Sequence, residues 1–81
     1  MSTILIEGAF RVFYFSYCLT ERIHVHVDNN DGEIKIWMDD FSWQREYGQM
    51  KDRDVRRAIA LVKAHQDTIR ERWEADKAKL Q

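Results

Sequence analysis

His24 and His26 stand two residues apart in the run Ile23-His24-Val25-His26-Val27. Side chains of an extended strand alternate between faces, so the two imidazoles share one face while Ile23, Val25 and Val27 share the other. That spacing suits two chemistries. Imidazoles at i and i+2 can chelate a transition metal such as zinc, with Asp39, Asp28 or the distant His65 supplying a third group, or Asp39 orienting a ring. The same pair, titrating near neutral pH, can act as general acid and base in metal-free RNA cleavage, with an Arg or Lys at the developing phosphorane. Side-by-side neighbours on a strand lie roughly 7 Å apart and do not flank a scissile phosphate from opposite sides. The plain alternative is a polar, solvent-facing sheet surface on which Trp37 shields His26, with no cofactor.

The element that must hold these residues is a β-hairpin. Ile23–Asp28 and Glu33–Met38 are rich in β-branched residues and alternate in polarity, and Asp31-Gly32 between them suits a two-residue turn with positive φ. That turn predicts Val27 opposite Ile36 and Val25 opposite Met38 on one face. On the other it predicts Asp28 opposite Lys35, His26 opposite Trp37 and His24 opposite Asp39.

Around the hairpin, Ile4–Glu7 reads as a short strand ending at Gly8, and Phe10–Tyr17 as a central strand apolar on both faces. Phe41–Tyr47 reads as a last, half-exposed strand. From Asp52, a reasonable N-cap, the period changes to 3.6: Val55, Ile59, Val62, Gln66, Ile69 and Trp73 form one stripe of a long helix, with polar Gln66 as an irregularity. His65 falls at the stripe's margin, where a backbone or solvent partner would satisfy it. Arg56, Lys63 and Arg70 recur every seven residues on a helix flank, roughly 10 Å apart. Such a ladder can follow phosphates, although Asp67, Glu71 and Glu74 beside it favour intrahelical pairing.

Three Trp and seven other aromatic residues are many for a chain of 81. Trp37 falls on the histidine face, so an exposed patch of Trp37, His24, His26 and Trp43 is expected there, and such patches are commonly interfaces.

A chain this short makes one domain, residues 1–81, with a β-rich part over 1–50 and a helical part over 51–81. Its 44% hydrophobic and 33% charged residues suit a cored, water-exposed fold, and a net charge of −1 excludes a strongly basic nucleic-acid-binding chain. The charge is unevenly placed: residues 1–50 carry four basic against eight acidic groups, residues 51–81 nine against six. The lone Cys18 forms no internal disulfide, suits a reducing compartment and reads as a small apolar filler. The first apolar stretch is interrupted by Glu7 and Arg11 and is too short to span a bilayer, so the chain reads as cytoplasmic.

Taken in order, the chain resembles the bacterial domain-of-unknown-function 4160 family. The resemblance rests on Met1-Ser2-Thr3-Ile4-Leu5, Arg11-Val12-Phe13-Tyr14-Phe15-Ser16 and Glu21-Arg22-Ile23-His24-Val25-His26-Val27. It continues through Gly32-Glu33-Ile34-Lys35-Ile36-Trp37, Tyr47-Gly48 and the helix from Asp54-Val55-Arg56-Arg57 through Leu61-Val62 and His65 to Trp73. Arg22 and Ile23 stand where the family has two prolines, which implies a less rigid entry into the histidine strand. The resemblance implies a small stand-alone protein next to another small reading frame, an arrangement like that of toxin-antitoxin pairs, and it implies no chemistry.

The expected fold is α+β: a mainly antiparallel sheet of three to five strands with one long C-terminal helix. The expected function is a non-enzymatic protein-interaction module, acting with the product of an adjacent gene or as a homodimer. The alternatives are a small RNase-type or metal-dependent enzyme with His24 and His26 at its centre, and a nucleic-acid-binding regulator using the helix flank.

Overall fold

Five strands pair antiparallel in sequence order: β1 (Ser2–Glu7), β2 (Phe10–Tyr14), β3 (His24–Asp28), β4 (Gly32–Trp37) and β5 (Trp43–Gly48). Two helices follow, α1 (Asp52–Ala64) and α2 (Gln66–Ala78), and a 3-10 helix, Ser16–Thr20, separates β2 from β3. The computed structural model describes residues 1–80. The α+β expectation therefore holds, with the helical stretch broken in two at His65, whose φ of −113° and ψ of 18° leave the helical range. Gln66, the polar irregularity in the stripe, opens the second helix.

One face of the sheet is made by Val12, Tyr14, Val25, Val27, Ile34 and Ile36, all fully buried. The apolar stripe of the helices closes over it with Val55, Ala58, Val62, Ile69 and Trp73. This is the hydrophobic layer that the two periodicities demand, period two in the strands meeting period 3.6 in the helices. Lys51 occupies the N-cap of α1 without a side-chain hydrogen bond, and Asp52 sits inside the first turn, 3.3 Å from the Arg45 guanidinium. No helix among the described residues is long and apolar enough to cross a membrane.

The β3–β4 register departs from expectation by two residues. Val27 pairs with Ile34, Val25 with Ile36, His26 with Lys35, His24 with Trp37 and Asp28 with Glu33. The turn is Asn30-Asp31, closed by Asn29 N–H donating to Gly32 O at 3.0 Å. Asn29 Oδ1 accepts from the backbone N–H groups of Asp31 (2.9 Å) and Gly32 (3.2 Å), a side-chain substitute for a backbone turn bond. Gly32 is freed for the ladder, where it faces Gly48; a Cβ on Gly32 would lie 2.6 Å from Tyr47 O. An offset of two leaves every side chain on its expected face.

A larger difference lies after Tyr14. The aromatic run does not continue as strand to Tyr17 but turns into the 3-10 helix, which brings Cys18 onto the histidines of the sheet's second face.

Candidate metal centre at the buried histidines

The covering segment removes His24 and His26 from solvent: they are 1% and 7% exposed, and Cys18 is 0% exposed. Every residue from His24 to Val27 is thus buried, on both faces of β3. The expected solvent-facing pair is instead buried in a packed cluster beneath the 3-10 helix. Phe13 stacks on His26 with centroids 5.5 Å apart, Phe15 meets the same ring edge-on at 5.6 Å, and Tyr17 stacks on Phe15 at 5.3 Å. Trp73 of α2 reaches His24 at 5.7 Å.

Each imidazole has its Nδ1 committed to a second residue. His24 Nδ1 lies 2.7 Å from the Arg22 carbonyl oxygen, which only accepts, so Nδ1 carries the proton and Nε2 the lone pair. His26 Nδ1 lies 3.1 Å from Glu33 Oε2, an ionisable acceptor that sets the same tautomer. His26 Nε2 then faces Cys18 Sγ at 3.8 Å, a weak thiol contact. His24 Nε2 is buried with no hydrogen-bond partner; an unsatisfied buried polar atom costs about 1–3 kcal/mol. The nearest carboxylate is Glu21, whose Oε1 lies 3.8 Å away.

Burial sets the protonation states. Desolvation pushes both imidazoles below their ordinary range, and Lys35 adds to the effect on each. Burial likewise raises the Cys18 thiol. The Glu33 carboxyl is raised, first by burial and then by its neighbours Asp28 and Glu46. The cluster therefore holds neutral imidazoles and a neutral thiol. One ligand atom from each of Cys18, His24 and His26 lies within 4.8 Å of the other two.

The remaining candidates are elsewhere. Asp39 is half-exposed and forms a two-pronged pair with Arg22, at 2.8 and 2.5 Å, so it is not part of the histidine cluster. Asp28 pairs with Arg11 at 2.6 Å. His65 donates its Nδ1–H to Leu61 O, 3.0 Å away, one of the two partners its marginal position suggested. Trp37 is half-buried, with Arg22 and Lys35 each 5.1 Å from its ring, so it is not an open anchor. Of the expected interface residues, only Trp43 is exposed, at 38%. The helix-flank ladder is likewise divided: Arg70 donates to Met38 O at 2.5 Å, Lys63 rests over Phe41 at 5.3 Å, and Arg56 is exposed beside Trp43.

Two participants escaped the sequence reading. Cys18 reads as filler from its apolar neighbours, although Cys18-x5-His24-x-His26 is a ligand-like spacing. Glu33 became the partner of His26 only through the true hairpin register, which sets it beside Asp28 on the histidine face.

Residues 9–74 match a family model described as a domain of unknown function, DUF4160. No curated protein and no solved structure matches the chain significantly.

Proposed function

Since this chain belongs to the DUF4160 family of domains of unknown function, whose description assigns no activity, we propose its role from geometry: a small cytoplasmic interaction module that binds a protein partner along β5. One observation carries this reading. β5 is an edge strand in which all six residues are exposed, with Trp43 at 38% and Tyr47 at 59%. Ser2–Leu5 on the opposite edge, by contrast, are half-buried. An outer strand with free backbone groups and aromatic side chains is a template for an added strand, main-chain bonds supplying affinity and side-chain contacts specificity.

The burial of the histidines supports the same choice over an enzyme. His24 and His26, 1% and 7% exposed, offer no open face where a substrate would meet them, and the surface depressions beside Gly8 and beside Trp43 are lined by other residues. The partner we favour is the product of an adjacent small reading frame, in a toxin-antitoxin-like pair. The test is co-expression with that product and sedimentation of the complex. Trp43→Ser combined with Tyr47→Ser should weaken the complex at least tenfold with an unchanged circular dichroism spectrum. Undiminished binding by this variant would remove the edge strand from consideration. A concentration-dependent mass of the chain alone, lost in the same variant, would replace the partner by a second copy.

A further inference from the structure

We propose that Cys18, His24 and His26 form a resident metal centre, one that takes a divalent ion of borderline softness, zinc foremost. This is independent of what β5 binds.

Three observations converge on it. The first is the donor set: a thiol and two imidazoles, the ligand chemistry of zinc, brought together from the 3-10 helix and β3. Zinc in tetrahedral geometry holds sulfur at about 2.3 Å and nitrogen at about 2.0 Å, which separates the two ligand atoms by about 3.5 Å. Cys18 Sγ and His26 Nε2 are already 3.8 Å apart.

The second is orientation. A metal-ligating imidazole uses one nitrogen for the ion and donates its other N–H to a carbonyl or carboxylate. Both rings have that outer partner, Arg22 O for His24 and Glu33 for His26. The rings are thereby held in the tautomer that leaves Nε2 as the donor to an ion.

The third is the orphaned atom. His24 Nε2 is buried, carries a lone pair and meets no donor. Among the described residues no hydrogen-bonding group answers it; an ion at the centre of the cluster would. The Glu21 carboxylate, 3.8 Å from that nitrogen, would supply the fourth ligand.

Binding is balanced by loss of one proton. The Cys18 S–H bond breaks, the proton leaves to solvent, and the thiolate sulfur forms the metal bond, while both neutral imidazoles donate lone pairs without changing protonation. With Glu21 as fourth protein ligand the site would be closed, and the ion a structural one that ties the 3-10 helix to the sheet.

Untagged protein, stripped with a chelator, is titrated with cobalt(II) and then zinc(II). The expected result is one cobalt per chain, tetrahedral d–d absorption with a thiolate-to-cobalt charge-transfer band, and displacement of cobalt by one equivalent of zinc. Cys18→Ser should abolish the charge-transfer band and weaken zinc binding at least tenfold. Glu33→Gln should retain the band and weaken binding about tenfold, as for an outer partner. Zinc should also slow alkylation of Cys18 in the wild-type chain at least tenfold, a readout that does not depend on any variant folding. Less than one equivalent bound, a cobalt spectrum without the thiolate band, or alkylation unaffected by zinc would overturn the assignment.

Discussion

Tyr14 of β2 donates its hydroxyl to the Asp76 carboxylate of α2, across 62 positions of the chain. The same hydroxyl lies 3.3 Å from Arg72 O, and the Tyr14 ring meets Trp73 edge-on at 5.2 Å. A single residue thus joins the second strand to the last helix through both a polar and an aromatic contact.

Tyr14→Phe keeps the ring and removes the donor, leaving Asp76 to its pairing with Arg72 and Lys79. The expected loss is about 1.5–3 kcal/mol, the worth of a hydrogen bond to a charged group. Urea denaturation of the two proteins gives the difference directly.

The same pair gives stability an alkaline limit. Burial, reinforced by Asp76, raises the Tyr14 hydroxyl far above its ordinary range. Above about pH 10 the unfolded chain releases this proton while the folded chain keeps it. Stability contributed by Tyr14 is therefore complete below that pH and is lost as pH rises beyond it, and Tyr14→Phe should flatten the loss.

At the acid end the histidines act in the opposite sense. Their folded values are depressed by burial, so unfolding takes up protons below the ordinary imidazole value of about 6.5. Their contribution is present above that value and is lost as pH falls toward the depressed folded values. The denaturation midpoint of metal-free protein should drop between pH 7 and pH 5. A midpoint constant over that interval would mean that the rings are accessible.

Trp73→Ala should cost about 3–5 kcal/mol, the range for a buried aromatic cut to alanine. Trp73 is 1% exposed and touches both Tyr14 and His24, so its loss opens the helix side and the histidine cluster together. Loss of helical circular dichroism at moderate urea, well below the wild-type midpoint, is the expected signature.

His24→Ala with His26→Ala separates buried from surface histidines. Imidazoles on an open sheet would leave folding nearly unchanged. Enclosed by Phe13, Phe15, Cys18 and Trp73, their removal should destabilise by about 1–3 kcal/mol for each site. Trp43→Ser on the exposed strand should stay within about 0.5 kcal/mol.

What the chain discloses by local pattern is the set of strands, the face that each side chain takes and the stripe of the helices, because these follow from periodicity. Val25, Val27, Ile34 and Ile36 needed only their alternation to be placed in the core. The register needed more: Asp31-Gly32 satisfies turn preferences, but Asn29 can cap an Asn30-Asp31 turn with its own side chain while Gly32 meets Gly48 where a Cβ has no room. The candidate site was half legible. Two histidines on one face are a property of the strand, whereas their burial depends on the 3-10 helix, a turn too short to show a period. Cys18 therefore reads as filler by pattern alone, and only the fold of the segment carrying it lays the thiol against the rings.

The strand order itself governs how the molecule assembles. Every strand pairs with its neighbour in the chain, so each β-pairing closes only a short loop, a step of about 1–10 μs for a hairpin. The helix layer instead requires contacts of long sequence separation, whose loop-closure entropy is met late. During synthesis the sheet leaves the ribosome ahead of the residues that cover Val12, Val25 and Ile36. For that interval its most apolar surface is bare, and a newborn chain is most exposed to self-association until Ile69 and Trp73 arrive.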